Sequence, residues 1–474
     1  MSEPWLYPTI LLCIYGFFCS HRPLEPFLIP FLMGPDKNLT ETEVVNEIYP
    51  FWTYSYLVLL FPVFLATDYL RYKPVLIVQA ASFIVTYALL LMAQGVRAME
   101  LLEFFFGLAS ATEVAYYSYI YSVVEPSHYQ RVTGFCRSIT LLGSAIGSLI
   151  GQILVSVAQV PMYYLSVITL VSSCIAFVAP WFLPMPNKSL FFHQRESSSQ
   201  DDGALEPMNS SQLIEKPEDP ESKMQLSADE RTTLKDNPSS SGLLEVFKML
   251  WSDFLQCYSS STLLAWSVWW ALSTCGYLQV INYAQALWEK ILPSNEFEIY
   301  NGYVETISTL LAPCEVQESA FAAFVVSFVK VPWAVWGEFA LCIFSVVIAV
   351  CVYLMDTIRN IWVCYTSYML FRATYMLLIT IATYQIAANL SMKRYALVFG
   401  VNTFIALLLQ TLLTVIVVDS AGLGLDIFLQ FLIYASYFAV IAVVFFIAWL
   451  YKLLKRRGAE GQSELPSREN IPKS

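Results

Sequence analysis

Four glutamates interrupt long apolar stretches of this 474-residue chain. Glu103 and Glu113 lie in one such stretch, Glu25 lies in the first stretch, and Glu305 lies near the start of a later one. A charge in a membrane costs several kcal/mol, so such residues usually face a cavity or a partner. Acids in this setting, close to aromatic residues, indicate a pocket for a positively charged organic molecule.

The first apolar stretch contains HRPLEPFLIPFL, in which three prolines surround Glu25. Each proline removes a backbone donor, so we expect this helix to kink or open near the acid. A broken helix beside an acid is typical of ligand sites in transporters. The alternative is that His21, Arg22 and Glu25 form a local structural cluster.

Aromatic and amide side chains supply further binding chemistry. Tyr49 and Trp52 are three residues apart on one helical face, where they could stack on a flat heterocycle or attract a cation. An aromatic belt at the membrane boundary would look the same. Gln279, Asn282 and Gln285 recur every three residues and form a polar stripe. The stripe suits hydrogen bonding to a heterocycle or contacts between helices.

Glu103 and Glu113 are too far apart to act on one ligand atom. Their spacing of ten residues corresponds to about 15 Å along a helix. Glu103 could lie at the outer end of its helix, whereas Glu113 lies deeper. The simplest interpretation of Glu113 is an ion pair, with Arg137 or Arg372 as the partner. These three residues are therefore candidates for charge coupling.

The sequence offers little that could support catalysis. Only three histidines occur, and neither they nor the ten cysteines form a metal-ligand motif. No HExxH or GxSxG motif is present. We therefore predict no catalytic residues, no metal site and no cofactor. The net charge of −11 argues against a nucleic-acid partner.

The composition indicates a protein of the lipid bilayer. The chain is 57% apolar and 13% charged, and repeated runs of about 20 apolar residues are typical of membrane helices. Six spans precede an acidic segment and six follow it, which predicts an all-α transporter of 12 transmembrane helices in two six-helix halves. The spans lie near 8–33, 49–67, 75–95, 100–124, 134–157, 161–183, 263–288, 299–329, 336–355, 361–389, 396–418 and 427–451.

These spans divide the chain into four predicted parts. A six-helix N-terminal bundle occupies 1–186, a C-terminal bundle occupies 261–451, and a cytosolic tail follows at 452–474. Between the bundles, 187–260 forms an acidic cytosolic linker. Within it, 187–253 holds 7 basic and 13 acidic residues and is rich in serine and proline. Such a segment cannot bury enough apolar surface to fold, so we expect it to be largely disordered.

The distribution of basic residues predicts the orientation of the chain. Most lie in one set of loops, in the linker and in the tail, so by the positive-inside rule both termini face the cytosol. The first loop on the opposite side carries the sequon NLT at 38–40. Asn38 is therefore a predicted glycosylation site on the outer face of a multi-pass plasma-membrane protein.

Long ordered motifs resemble the folate/thiamine transporter family, solute carrier family 19, over nearly all of the membrane part. They include PFWTYSYLVLL, PVFLATDYLRYKPV, EVAYYSYIYSVV, HYQRVTGFCRS and YALVFGVNTFIALLLQT. The loop DYLRYKP also resembles the acidic-basic loop that major-facilitator transporters place after their second helix. The resemblance implies a major-facilitator-type bundle and facilitated or proton-linked uptake of a vitamin.

Within the family, the resemblance favours the thiamine branch. The reduced folate carrier has an arginine where Glu113 stands and a lysine where Gln410 stands, and only its third basic residue is kept, as Arg372. Fewer cationic side chains favour a cationic ligand over an anionic one. Thiamine, with its permanent thiazolium charge and flat aminopyrimidine, is the expected substrate. Pyridoxine and reduced folate are the alternatives.

The resemblance also implies which side chains hold the vitamin. The acids would bind the aminopyrimidine or balance charge, the aromatic rings would stack, and the amide would hydrogen-bond. Phe106 and Ser144 stand where the thiamine branch commonly has tyrosines, which could change the preferred vitamin. The implied substrate-binding residues are Glu25, Tyr49, Trp52, Glu103, Phe106, Asn282 and Glu305.

The predicted eighth span contains about seven residues that the family lacks, near APCEVQE at 312–318. A proline and two acids in a lipid-spanning helix would be costly. Seven residues make about two helical turns, so a bulged or shifted helix could keep its register. A splice form with impaired transport explains the insertion equally well.

Overall fold

The computed structural model describes residues 5–124, 128–186, 258, 261–311, 333–387 and 392–463. Within these ranges the chain forms thirteen α-helices, a 3-10 turn at Glu25–Phe27, and π-helical turns at Glu43–Ile48 and Thr414–Val418. The helices are α1 (Leu6–Ser20), α2 (Leu28–Met33), α3 (Tyr49–Tyr69), α4 (Lys73–Met92), α5 (Val96–Val123), α6 (Tyr129–Ser156), α7 (Met162–Phe182), α8 (Ser261–Ile291), α9 (Asn301–Leu311), α10 (Trp333–Thr357), α11 (Ile361–Ala387), α12 (Met392–Leu413) and α13 (Ile427–Ser463).

Eight segments in the described ranges are long and apolar enough to cross a bilayer. They are Glu43–Thr67, Lys73–Met92, Arg131–Ser156, Met162–Phe182, Trp336–Thr357, Ile361–Ile386, Val398–Val418 and Ile427–Lys455. The long helices α5 and α8 fall outside this set and carry polar side chains along their length. The all-α membrane fold is confirmed. The count of twelve spans stays a prediction, because the insertion at 312–318 and the residues after it, to 332, lie outside the described ranges.

The first span is broken, as its prolines predict. Helix α1 ends at Ser20, and a 3-10 turn that begins at Glu25 leads into α2. Glycines of α6 let its backbone approach this break. A Cβ at Gly143 would lie 2.6 Å from the carbonyl oxygen of Phe17, and one at Gly147 would lie 2.8 Å from the amide nitrogen of Arg22. Small residues on α6 therefore hold the broken segment in place.

The helices pack in two groups. In the first, α1 lies against α6 and α7, and α5 lies against α3 and α4; in the second, α10 packs on α11 and α13, and α8 on α11, α12 and α13. The groups meet where α9 lies on α6 and where α12 lies on α3. The predicted tail at 452–474 begins inside α13, which continues to Ser463. Apart from Tyr258, the acidic linker at 187–260 lies outside the described residues.

The loop after α2 is accessible at the sequon. Asn38 is exposed and has a φ of 52°, a left-handed conformation that asparagine tolerates better than most residues. We call the end of the bundle that carries residues 34–42 the first-loop end. Glycosylation of Asn38 stays a prediction.

Candidate functional site

Glu103 is a buried acid on α5, with only 6% of its surface exposed. Within the described part of the chain its carboxylate has no hydrogen bond and no ion pair. The phenol groups of Tyr49 and Tyr283 lie within electrostatic range of it. A buried charge without a partner is strongly unfavourable. This carboxyl group therefore either holds a proton or receives a cation.

The aromatic residues of α3 face protein partners on α5 and α8. The indole N–H of Trp52 donates to Ser110 Oγ at 3.0 Å, and its ring centroid lies 6.4 Å from that of Phe106. The ring of Tyr49 lies 6.1 Å from Tyr283. Both α3 rings are half-buried. This arrangement fits the wall of a pocket better than an aromatic belt facing lipid.

The break in the first span places Glu25 at the boundary of the two groups. Its side chain is 50% exposed and lies 3.5 Å from Arg22 Nη1, and its carbonyl accepts a hydrogen bond of 2.8 Å from the Gln285 amide. The expected local cluster is therefore only partly formed, since His21 Nδ1 lies 3.0 Å from Ser172 Oγ instead. Arg22 balances the charge of Glu25.

The polar stripe of α8 has two different uses. Gln279 donates to Thr414 Oγ1 at 2.8 Å, and Gln285 reaches the first group, so both connect helices. Asn282 is half-buried between them and has no hydrogen-bond partner among the described residues. Of the three amides, Asn282 is the one that remains available to a ligand.

Glu305 on α9 forms a closed polar cluster with α11. It is ion-paired to Arg372, and the Tyr368 hydroxyl donates to its second oxygen at 2.7 Å. Arg372 also donates to Ser308 Oγ at 3.0 Å. Arg372, one of the two candidate partners of Glu113, lies in the second group and is ion-paired to Glu305 there. Glu305 therefore has its charge neutralised in this conformation.

The Arg372–Glu305 pair gives a prediction for stability. The two side chains are only 15% and 19% exposed, and removing one partner of a buried pair costs about 3–5 kcal/mol. We expect Glu305→Gln and Arg372→Gln each to lower the thermal midpoint of the purified protein by roughly 3–5 °C. The double variant should recover part of the loss.

The matched control for these variants is Glu298→Gln, since Glu298 only accepts a hydrogen bond from Tyr300 in an exposed loop. It should leave the midpoint unchanged. If the single variants have the same thermal midpoint as the wild type, the pair contributes nothing to the stability of the fold.

A cavity of about 310 Å³ opens within the first group, between α1, α4, α5 and α6. Its lining includes Arg22, Phe106, Glu113 and Ser144. The Arg22 guanidinium lies 5.7 Å from the Phe106 ring centroid, so this ring already contacts a cation. Glu113 is exposed to the cavity, within electrostatic range of Arg22. The sequence did not identify Arg22 as a cavity residue.

The other candidate for charge coupling, Arg137, lies on α6 outside this lining. Its guanidinium carbon lies 5.1 Å from the ring centroid of Tyr117, which does line the cavity. The cavity lining includes none of Glu25, Glu103 or Glu305. The structure thus brings Glu103 and Tyr49 together and Trp52 and Phe106 together, but it does not join all predicted acids in one open chamber.

The two groups are tied together at the first-loop end. Lys290 of α8 pairs with Glu41, 2.9 Å away, and with Asp426. The Tyr54 hydroxyl donates to Asp419, and the Asn46 side chain donates to the Val418 carbonyl. Gln152 of α6 contacts the backbone at the start of α9. Its side-chain oxygen accepts a hydrogen bond of 2.8 Å from the Gly302 amide, and its side-chain nitrogen donates one of 2.8 Å to the Ile299 carbonyl.

The hydrogen bonds between the two groups, within the described residues, are found in the middle of the bundle and at its first-loop end.

Partial burial works against the charge of Asp426, yet the hydrogen bond from Lys290 holds the pKa of this carboxyl below its usual value. The contact between Lys290 and Asp426 is therefore charged at neutral pH. The bundle is closed at this end, and we call the contacts of Lys290 with Glu41 and Asp426 the Lys290 clamp.

Sequence comparison places the chain among known transporters. The family model described as "Reduced folate carrier" matches residues 3–433. Human thiamine transporter 1 is 60% identical, over 96% of this chain and 91% of the relative, and human thiamine transporter 2 is 50% identical, over 98% and 95%. The human reduced folate transporter is 39% identical, over 94% and 72%. The sequence motifs alone favour thiamine transporter 2, whereas the identity to thiamine transporter 1 is higher.

Solved structures support the fold. A POT family transporter aligns with a TM-score of 0.58 at 10% identity, covering 93% of this chain and 95% of the other. The nucleoside transporter NupG aligns with a TM-score of 0.56 at 12% identity, covering 94% and 99%. At such identities the likeness shows the fold alone. From the family match and the identities of its relatives, this chain belongs to the reduced folate carrier family of membrane transporters.

Proposed function

We propose that this chain carries thiamine across the plasma membrane by alternating access. Its relatives at 60% and 50% identity are named thiamine transporters, and the reduced folate transporter is more distant at 39%. The observation that carries the proposal is the buried carboxylate of Glu103, which has no partner among the described residues. A permanent cation such as the thiazolium of thiamine would supply the missing charge.

The charge balance around the site supports a cationic substrate. Glu25 is balanced by Arg22, and Glu305 by Arg372. The buried acid Glu103 has no cation of its own among the residues that the structure describes. Attraction between opposite charges is strong where water is excluded. The half-buried Tyr49 and Trp52 would stack on the rings, and the free amide of Asn282 would hydrogen-bond the aminopyrimidine.

The closed first-loop end supports an inward-facing state. If both termini face the cytosol, as the positive-inside rule predicts, the Lys290 clamp closes the extracellular side. Thiamine would then enter from outside only after the clamp opens. A proton on Glu103, exchanged for the vitamin, would keep this acid neutral while the site is empty. Such an exchange would link uptake to the proton gradient.

Uptake competition tests the substrate. Cells expressing this chain should accumulate radiolabelled thiamine, and unlabelled thiamine should abolish the signal while reduced folate leaves it unchanged. Phe106 and Ser144 lack the phenols common in the thiamine branch, so pyridoxine belongs in the same competition series. Uptake that folate blocks and thiamine does not would assign the chain to an anionic vitamin instead.

The insertion at 312–318 gives a further prediction. Because a proline and two acids interrupt an otherwise apolar span, we expect deletion of 312–318 to raise the surface expression of the protein. Surface biotinylation measures this directly, with deletion of seven residues from the acidic linker as the matched control. Equal or lower surface expression and uptake after the deletion would show that the insertion is accommodated.

A further inference from the structure

An apolar groove of about 430 Å³ runs along the outer surface of α1 and α6. Its walls include Leu6, Ile10 and Ile14 from α1, and Phe135 and Ile139 from α6. The side chains of Ile10 and Phe135 are 50% and 44% exposed. The opposite face of α1 lines the cavity within the first group, so the groove and this cavity lie on different sides of the helix.

The length of the groove matches one leaflet of a bilayer. Its lining extends from Trp5 to Phe18, which corresponds to about 20 Å along the helix axis. The hydrocarbon core of a bilayer is about 30 Å thick, so one leaflet is about 15 Å deep. An extended acyl chain lying along α1 would therefore fill the groove from the membrane boundary to the middle of the bilayer.

Among the residues that the structure describes, Arg131 is the guanidinium at the boundary end of the groove. The Arg131 guanidinium carbon lies 5.8 Å from the Trp5 ring centroid and 5.7 Å from that of Phe135, both of which line the groove. Arg131 is exposed, and in the described ranges it has no hydrogen bond or ion pair with an acid. His128 stacks on Trp5 with centroids 4.9 Å apart. Arginine in this setting keeps its charge at the headgroup level.

We infer that the groove binds an anionic glycerophospholipid, with one acyl chain along α1 and the headgroup phosphate at Arg131. An apolar groove in the bilayer needs an acyl chain to fill it. A lone exposed guanidinium beside it favours a lipid with net negative charge over a zwitterionic one. By the predicted orientation this is the cytoplasmic leaflet, where anionic lipids are concentrated. The inference does not depend on the identity of the vitamin.

Native mass spectrometry of the purified full-length protein tests this inference. The protein is titrated with phosphatidylserine and with phosphatidylcholine of the same acyl chains. We expect the wild type to retain one phosphatidylserine with roughly fivefold preference over phosphatidylcholine. Arg131→Gln should remove the preference, and Ile10→Trp, which fills the groove, should remove the bound lipid.

Two control variants match these changes. Arg97→Gln removes an arginine that is 89% exposed in the first turn of α5, and Val440→Trp adds a ring to an exposed face of α13 outside the groove. Both should bind phosphatidylserine as the wild type does, and all variants must share its thermal midpoint. Equal binding of the two lipids, or wild-type binding by both Arg131→Gln and Ile10→Trp, would overturn the inference. Loss in Arg131→Gln alone would overturn the placement of the acyl chain.

Discussion

Glu103→Gln should lower thiamine uptake at least tenfold while the protein reaches the cell surface at the normal level. The carboxylate is buried and has no partner among the described residues. An interaction between a charged group and its hydrogen-bonded partner contributes about 1.5–3 kcal/mol, or roughly ten- to a hundredfold in binding. Glutamine keeps the shape and removes the charge. The measurement is initial-rate uptake of radiolabelled thiamine, normalised to surface protein.

The matched control is Glu100→Gln, one turn earlier on α5. Glu100 pairs with the exposed Arg97 near the start of the helix, away from the rings of α3 and α8. Glu100 is 12% exposed, but its partner Arg97 is 89% exposed, and a pair with one such solvated partner contributes little. This variant should therefore transport like the wild type. Retained uptake in Glu103→Gln at normal surface level would remove Glu103 from the substrate site.

Lys290→Gln should open the first-loop end. This substitution breaks the contacts with Glu41 and Asp426 at once. Of these two contacts, the one with Glu41 crosses between the groups. A partly exposed ion pair contributes up to about 1 kcal/mol, so the population open at this end should rise up to about fivefold. A cysteine introduced at Asn282 reports the change, because it lies between the groups. Labelling of this cysteine by a membrane-impermeant maleimide, located by mass spectrometry, should increase by the same factor.

Lys37→Gln controls for the loss of a cation at the same end. The Lys37 ammonium donates to the Ala93 carbonyl within the first group and makes no contact across to the second. Labelling in this variant should match that of the wild-type background. If Lys290→Gln labels no faster than Lys37→Gln, the Lys290 clamp does not hold the bundle closed.

Local sequence signals anticipated the parts of the site that depend on one helix. The prolines around Glu25 predict the break in the first span, because the lost backbone donors act within a few residues of the chain. The apolar neighbours of Glu103 indicate its burial. Tyr49 and Trp52 share a face by spacing alone, and the structure places both against protein rings.

Contacts between helices were not visible in the sequence, because helix spacing does not show which helices are neighbours. Charge alone made Arg372 one of two candidate partners of Glu113, but α9 lies beside α11 and brings Glu305 to it. The clamp at Lys290 joins residues that are more than 100 positions apart. The sequence pattern of the polar stripe does not distinguish Gln279 from Asn282. In the structure Gln279 donates a hydrogen bond to Thr414, whereas Asn282 has no hydrogen-bond partner among the described residues.

The state of the protein also limits what sequence patterns show. In this conformation the first-loop end is closed by the Lys290 clamp and by Tyr54 and Asp419. The sequence carries information about all states of the transport cycle at once. One conformation therefore separates residues that the substrate would contact in another.

A structure of the protein with bound thiamine tests the proposed role of Glu103 most directly. The thiazolium or aminopyrimidine should lie within about 4 Å of the Glu103 carboxylate, the range in which opposite charges interact strongly, and a ring should stack on Tyr49 or Trp52. Thiamine bound instead in the cavity between Arg22 and Glu113, with Glu103 left unpaired, would contradict this assignment of the site.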